Sequence, residues 1–305
     1  MDADALKLAS RSISQWTGAF AQSAYFAREC HESYAALGFG QPVGEWRDVV
    51  VSTPTTFHAP RVAALGDVSA ELAAAVFPQM ASRIIASATA RVHEAGSTAS
   101  VVEARSRGAV ASLQRILGPE PDGIEAFAVI MRRACDAFDV GGRPFAAGLL
   151  AHGWTGDPLT DAWHGAEILR EARGDAHNAT WLGRGLTAPQ IHILTEHWYG
   201  LSGCGFRRVW GWTGAELEQA DRALVEIGLT DAAGLTKRGR ELRDEIEGAT
   251  DSQMLPVMHA IADDLGDLAR VAEPISRAVV AGKGTLMVRP SYFTWLAAQP
   301  AYQFG

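Results

Sequence analysis

One stretch of the sequence concentrates side chains that could transfer protons or hold an anion. His164, Glu167 and Glu171 recur at helical spacing, so an imidazole and two carboxylates would share one helix face. Trp163, Glu167 and Arg170 follow a similar spacing and add a guanidinium. An imidazole paired with a carboxylate can act as acid or base near neutral pH, and a guanidinium can hold a substrate carboxylate through two hydrogen bonds. The pattern predicts an acid/base site.

The end of the same stretch predicts a junction between two helices. Gly174 suits the left-handed position that closes a helix, and Asp175 suits the cap of the next one. His177 would then lie in a first turn, where the helix dipole favours the neutral ring and nearby carboxylates favour the charged one. The alternative is purely structural, because charged residues at a helix end usually form a solvated face.

These residues define a predicted site in two parts. The predicted catalytic set holds the proton-transferring side chains: His164, Glu167, Asp175 and His177, with His164 or His177 as the base. The predicted substrate-binding set holds an anchoring guanidinium, an aromatic ring and a histidine of the first half: Arg170, Trp163 and His58. Glu71 is a second candidate from the first half. Nine tryptophans predict an aromatic pocket for a flat or apolar molecule, although buried tryptophans often only fill a core.

Length and composition bound the kind of protein. The chain has 305 residues, enough for one large or two modest domains. Hydrophobic residues make up 48% and charged residues 20%, which is ordinary globular usage, and no apolar run is long enough to span a bilayer. Met1–Phe20 lacks a basic start followed by an apolar core, so we expect a cytoplasmic protein. The three cysteines are widely spaced and predict neither a disulfide framework nor a thiolate metal site.

Hydrophobic periodicity predicts helices over most of the chain, with no fixed repeat. The predicted helices outside the most specific segment are Met1–Gly38, Asp67–Ala90, Arg105–Leu117, Ile124–Phe138, Phe145–Gly153 and Leu255–Ala281. Residues 49–56 are rich in β-branched side chains, but Pro54 and Pro60 favour an extended connection there. An aromatic tail follows from Thr285 to Gly305.

The most specific pattern lies between Leu186 and Thr250. It predicts a helix opening at Thr187, a short helix from Phe206, a helix opening at a Thr213–Glu216 capping box, a small hairpin over 229–236 and a helix from Lys237. This order resembles the winged helix-turn-helix of MarR-type regulators. The short segments that carry this resemblance are Leu186-Thr187, Ala223-Leu224 with Gly228-Leu229, and Leu235-Thr236 with Gly239-Arg240.

A longer resemblance covers most of residues 20–280. It rests on four segments: Tyr25–Glu29, Ala64–Glu71, Gly142–Ala147 and Trp163–His177. With them the chain resembles an actinobacterial family known only as a helix-turn-helix family, which implies an all-α body fused to a winged helix and no settled activity. The sequence departs from that family at Val76–Met80 and in the aromatic tail after Lys283, and both departures could change a pocket.

We therefore predict an all-α protein, a helical bundle body with a C-terminal winged helix-turn-helix that has a two-stranded wing. The predicted divisions are a helical domain over 1–185, a winged-helix domain over 186–250, and a C-terminal helix and tail over 251–305 that pack back on the body. MarR-type proteins usually pair through helices outside the wing, and the alanine- and leucine-rich segments at both ends of the chain predict a homodimer.

Charge argues against DNA as a partner. The net charge is −8, and the predicted recognition helix carries Glu216, Glu218, Asp221 and Glu226 against Arg222 alone. The wing has no basic residue, so only Arg207 and Arg208 are left to reach phosphate. We also predict no metal and no cofactor. His192 and Glu196 could share a cation, but a metal-binding signature and a phosphate-binding loop are both absent.

The leading functional prediction is a small-molecule enzyme that performs cofactor-independent acid/base chemistry in a helical, tryptophan-rich pocket. The alternative is a ligand-responsive regulator, or a non-catalytic binding protein, whose winged helix contacts DNA or another protein. The acidic recognition helix beside a cluster of histidines, carboxylates and arginine favours the first.

Overall fold

The computed structural model describes residues 2–286 and 289–305, most of which are helical. Met1 of the first predicted helix and residues 287–288 of the predicted tail lie outside the described residues. The helices of the first half are α1 Ala3–Ala21, α2 Ser23–Phe26, α3 Arg28–Ala35, α4 Pro54–Ala63, α5 Ala70–Val76, α6 Ser82–Glu94, α7 Thr98–Leu117, α8 Ile124–Asp136 and α9 Pro144–Leu150. A hairpin of β1 Gly44–Trp46 and β2 Val49–Val51 lies between α3 and α4.

The second half begins with the longest helix and continues with shorter ones. Its elements are α10 Pro158–Leu182, α11 Ala188–Trp198, α12 Gly214–Glu226, β3 Thr230–Asp231, β4 Gly234–Leu235, α13 Lys237–Gln253, α14 Leu255–Ala260, α15 Leu265–Ala281 and α16 Pro290–Ala297. A single turn of 3-10 helix, Phe206–Arg208, stands between α11 and α12. None of the described helices is both long and apolar enough to cross a membrane.

Helix α10 is the element around which the body packs. Asp157 fixes its start, because the carboxylate accepts a hydrogen bond from the Thr160 amide at 2.8 Å, and Pro158 occupies the first turn. The helix contacts α1, α8, α9 and α13. Since neighbours surround it, α10 carries its charged side chains into the interior of the protein.

The predicted helix boundary at Gly174 is wrong. Helix α10 continues through Gly174 and ends at Leu182, so His177 lies in its last part rather than in a first turn. A glycine inside a helix costs about 1 kcal/mol relative to alanine, which packing of this helix against several neighbours offsets. Asp175 does not cap its own helix. Its carboxylate accepts hydrogen bonds from the Phe145 and Ala146 amides at the start of α9, each at 3.0 Å.

Several other predicted elements differ because of contacts that periodicity does not reveal. The first predicted helix divides into α1, α2 and α3, the second into α5 and α6, and the last into α14 and α15. At the start of α6 the Ala81 amide donates to the Trp210 carbonyl at 3.1 Å. The extended connection predicted for residues 49–56 is wrong. Val49–Val51 pairs as a strand, and Pro54 opens α4, where its missing amide hydrogen removes no helical bond.

The helices and the hairpin expected between Leu186 and Thr250 are present in the predicted order. Helices α11 and α12 begin with capping boxes at Thr187 and Thr213, and β3 pairs with β4 in an antiparallel hairpin. Their apolar side chains pack with Trp181 into a cluster of their own. The body has a larger core, and the last residues form a third, aromatic cluster with parts of both.

Candidate functional site

A cavity of about 250 Å³ lies where the body, the segment before α12 and helix α16 meet. Tyr25 and Phe57 line it from the body, Phe206 and Trp210 from the segment, and Phe293 from α16. The rings of Tyr25 and Phe57 stack with their centroids 4.9 Å apart. The cavity therefore offers flat apolar surfaces that come from three parts of the chain.

Two of the predicted substrate contacts, His58 and Arg170, lie in the wall of this cavity. His58 is 6% exposed, and its Nδ1 has no hydrogen-bond partner among the described residues. Burial first, and then the charge of Arg61, hold the pKa of His58 well below its usual range, so the ring is neutral. Arg170 donates to Glu171, and its guanidinium lies 5.5 Å from the centre of the Tyr25 ring.

A buried ionic cluster lies behind Arg170. We call it the cavity network: Tyr25, Arg61, Arg105, Glu167, Arg170 and Glu171. Arg61 donates from its two terminal nitrogens to the two Glu171 oxygens, each at 3.0 Å, and Arg105 donates to Glu167. The Tyr25 hydroxyl accepts from Arg61 at 2.8 Å and from Arg105 at 3.0 Å. Buried charges are tolerated only when they are paired in this way.

The Glu171 carboxylate of the cavity network is held as an ion, and Glu167 is paired with a guanidinium. Burial alone would raise the pKa of Glu171, but the charges of Arg61 and Arg170 outweigh it and lower the pKa to about 2. Glu167 is 0% exposed and bound to a guanidinium. Each carboxylate would have to leave an ion pair before it could take a proton. Glu71, the other candidate from the first half, is exposed at the start of α5.

Three other predicted residues do not line the cavity. The His164 ring packs edge-on against Trp154 with the centroids 5.5 Å apart, and burial with the charge of Arg105 lowers its pKa to about 4. Trp163 donates from Nε1 to a backbone carbonyl in the body. Burial raises the pKa of Asp175 to about 6, although two backbone amides oppose that shift. The stretch around α10 therefore does not converge on a single site.

His177 lies beside a second ionic cluster. We call this cluster the junction network: Arg11, Arg173, Arg243, Glu247 and Asp251. Arg173 donates to Glu247 at 2.9 Å and to Asp251 at 2.7 Å, while Arg243 and Arg11 complete the pairs. His177 Nδ1 is 3.4 Å from the Thr250 hydroxyl, and burial lowers the pKa of this histidine to about 4. The junction network fastens α13 to α10 and α1.

The side chains weighed as metal ligands are engaged elsewhere. His192 Nε2 is 2.8 Å from the Gln79 carbonyl oxygen, whereas Glu196 accepts from the backbone amide and the guanidinium of Arg207, each at 2.9 Å. Arg207 also pairs with Asp221 at 2.6 Å. Within residues 2–286 and 289–305, no group of three histidine, cysteine or acidic side chains could hold a metal ion. The guanidinium of Arg207 is therefore paired with two carboxylates.

The amino-terminal end of α12 is covered by other parts of the chain. The Gly214 amide donates to the Gly305 carbonyl at 2.6 Å, and Glu216 pairs with Arg83 of α6 at 3.1 Å. The tail and the body therefore both rest on this helix end.

Three members of the cavity network were missed by the sequence analysis. Arg105 shares a buried face of α7 with Val101 and Ala104, and an arginine on such a face is a signal for a buried ion pair. Arg61 stands in α4, where nearly every side chain is buried, but the predicted extended connection hid that helix. Nothing in the residues around Tyr25 points to its hydroxyl as the centre of a network.

The fold and the cavity describe a helical protein with an aromatic cavity backed by paired charges. The chain belongs to the helix-turn-helix family, because the sequence model of that family matches residues 10–286, which is most of its length. No curated protein and no solved structure matches it. The finer resemblance to MarR-type and actinobacterial proteins stays a prediction.

Proposed function

We propose that the protein is a ligand-responsive helix-turn-helix protein, in which a winged-helix segment senses a small molecule bound in the aromatic cavity. The observation that carries this proposal is the shared wall: Phe57 comes from the body, Trp210 from the segment that leads into α12, and Phe293 from α16. A molecule that contacts all three parts favours the arrangement in which they meet, so its binding free energy shifts the conformational equilibrium of the segment.

Binding is better supported than acid/base catalysis. A general base must reach the proton that it removes, yet His164 and His177 stand away from the cavity wall. The carboxylates of the cavity network are held by guanidiniums, and His58 is the one predicted-site histidine that lines the cavity. These contacts suit a site that holds a charge in place more than one that moves a proton.

The winged-helix segment is proposed to pack on the body in this conformation rather than read DNA. Recognition helices contact base edges with their amino-terminal residues, and here that end of α12 is covered by Gly305 and Arg83. Its exposed side chains include Glu218 and Glu226, which repel phosphate. In a mobility-shift assay at low salt we expect no sequence-selective binding to genomic fragments. A selective shift at nanomolar protein would contradict this part of the proposal.

The proposal is tested by filling the cavity. Val209 lines it, so Val209→Phe should place a ring where the ligand would lie, at little cost in stability because the ring enters existing space. A metabolite screen by thermal shift first identifies a ligand of the wild type, and the variant should then bind it roughly tenfold or more weakly. Val129→Phe is the matched control, since that side chain is 65% exposed on α8. Wild-type affinity in Val209→Phe would contradict the proposal.

A further inference from the structure

The cavity network is not balanced in charge. Three guanidiniums stand against two carboxylates: Arg61, Arg105 and Arg170 against Glu167 and Glu171. Asp175, on the same helix, binds backbone amides of α9 and makes no ion pair with these arginines among the described residues. His58 is neutral and adds no charge. Two guanidiniums therefore share the single carboxylate of Glu171, and the network carries one more positive than negative charge in a largely buried region, where unbalanced charge is costly.

The surplus charge lies on Arg170. Arg61 takes both oxygens of Glu171, and its side chain is only 6% exposed. Arg170 shares one of those oxygens, and its side chain is 29% exposed. Because Arg170 also lines the cavity, it is the guanidinium of the network that an anion inside the cavity would meet.

His58 is a second polar residue of the cavity wall. It is buried to more than nine-tenths, and its buried Nδ1 has no hydrogen-bond partner within the described ranges. Because its ring is neutral, Arg170 is the charged side chain in the described wall of the cavity.

The rest of the lining selects the shape and the charge of the ligand. Tyr25, Phe57, Trp210 and Phe293 give flat apolar walls, which favour a ring that can stack. The volume of about 250 Å³ is below the roughly 300–1,000 Å³ of sites for drug-sized ligands, so one or two rings fill it. One surplus positive charge matches a monoanion, and a carboxylate has the planar geometry that a guanidinium binds with two hydrogen bonds.

We propose that the cavity binds a small aromatic monocarboxylate, with its carboxylate against Arg170 and near His58, and its ring between Phe57 and Trp210. This inference rests on the proposed function and adds the chemical class of the ligand. With the bound anion, three carboxylates stand against three guanidiniums. The aromatic walls desolvate the ring of the ligand.

The test compares two probes of nearly the same shape, naphthoate and naphthamide, by isothermal titration calorimetry on the full chain. The wild type should bind naphthoate roughly tenfold or more tightly than naphthamide, the scale of one charge-assisted hydrogen-bonded contact. Arg170→Gln should remove that preference, while Arg170→Lys, which keeps the charge, should retain part of it. Arg173→Gln is the matched control, because Arg173 lies one turn further along α10 and does not line the cavity. It should keep the full preference.

The outcomes separate this inference from the proposed function. Equal binding of the two probes by the wild type, or an unchanged preference in Arg170→Gln, would overturn the inference and leave the cavity as a binding site for neutral aromatic molecules. Absence of binding by both probes would overturn the inference and also count against the proposed function. Melting curves of each variant show whether it is folded. If Arg170→Gln does not fold, Arg170→Lys tests the role of the charge.

Discussion

The cavity network and the junction network both draw charged side chains from α10, yet they are completed differently. Each contains three arginines and two carboxylates. In the junction network the outermost arginine, Arg11, has a side chain that is 46% exposed, so water screens its charge. In the cavity network the corresponding arginine is Arg170, which borders an aromatic cavity. The space beside the charges, rather than their pattern along α10, distinguishes the proposed binding site from a structural contact.

The largest difference should appear when a carboxylate is removed from each network. Glu167→Gln leaves Arg105 deeply buried without its charged partner, which costs about 3–5 kcal/mol of unfolding free energy. Asp251→Asn should cost less, about 1–3 kcal/mol, because Glu247 still pairs with Arg173 and the other partner, Arg11, is 46% exposed. Urea unfolding followed by circular dichroism measures both losses. A larger loss in Asp251→Asn would reverse the comparison.

A second effect should appear at acid pH, where buried histidines in several parts of the protein lower its stability. Burial lowers the pKa to about 4 in four of them, from an ordinary value of 6.5: His31, His164, His177 and His192. The unfolded chain takes up these protons first, so stability is complete above about pH 6.5 and is lost as the pH falls towards 4. Asp175 acts in the opposite sense, since its raised pKa of about 6 makes the fold less stable as the pH rises from about 4 to 6.

Because these four histidines and His58, whose pKa burial also lowers, oppose one carboxyl group, we expect a lower melting temperature at pH 5 than at pH 7. His164→Gln and His177→Gln should each reduce the difference, as each removes one of the titrating groups. Calorimetric melts in buffers of equal ionic strength check this. A melting temperature that stays constant or rises from pH 7 to pH 5 would contradict the assignment of neutral, buried histidines.

The smallest effect is expected for His177→Asn. Among the described residues the ring makes one side-chain hydrogen bond, 3.4 Å to the Thr250 hydroxyl, and it stands outside the cavity wall. Melting temperature and ligand affinity should stay near wild type, with a change in stability within about 1 kcal/mol. If His177 were a general acid or base, folding would survive while any turnover fell by roughly 100-fold. Such a loss would place the active site at the junction network instead of the cavity.

Local signals predicted much of the fold, while tertiary contacts decided the rest. The helix start at Thr187 and the capping box at Thr213 are both predicted by local sequence, because a cap is formed by residues a few positions apart. The predicted boundary at Gly174 is wrong, since packing of α10 on its neighbours outweighs the cost of a glycine. Pro54 favours an extended chain in the sequence, although the same residue is favourable at a helix start.

The site was predictable only in part, because its members are distant in sequence. His58 and Arg170 were predicted as substrate contacts, and both lie in the cavity wall. Both regions in which the sequence departs from its resembling family also reach this cavity, through Met80 and through the aromatic side chains of α16. Spacing along one helix could not reveal Arg61 and Arg105, which come from two other helices. The three-domain division, the homodimer and the catalytic roles stay predictions, the latter for His164, Glu167, Asp175 and His177.

The most direct test of the account is a crystal structure of the protein with the ligand that a thermal-shift screen identifies. We expect ligand density between Phe57 and Trp210, with a polar group of the ligand within hydrogen-bond distance of Arg170. The side chains of α16 should close over it. Density beside His164 or His177, with the aromatic cavity empty, would contradict the central claim that this cavity is the functional site.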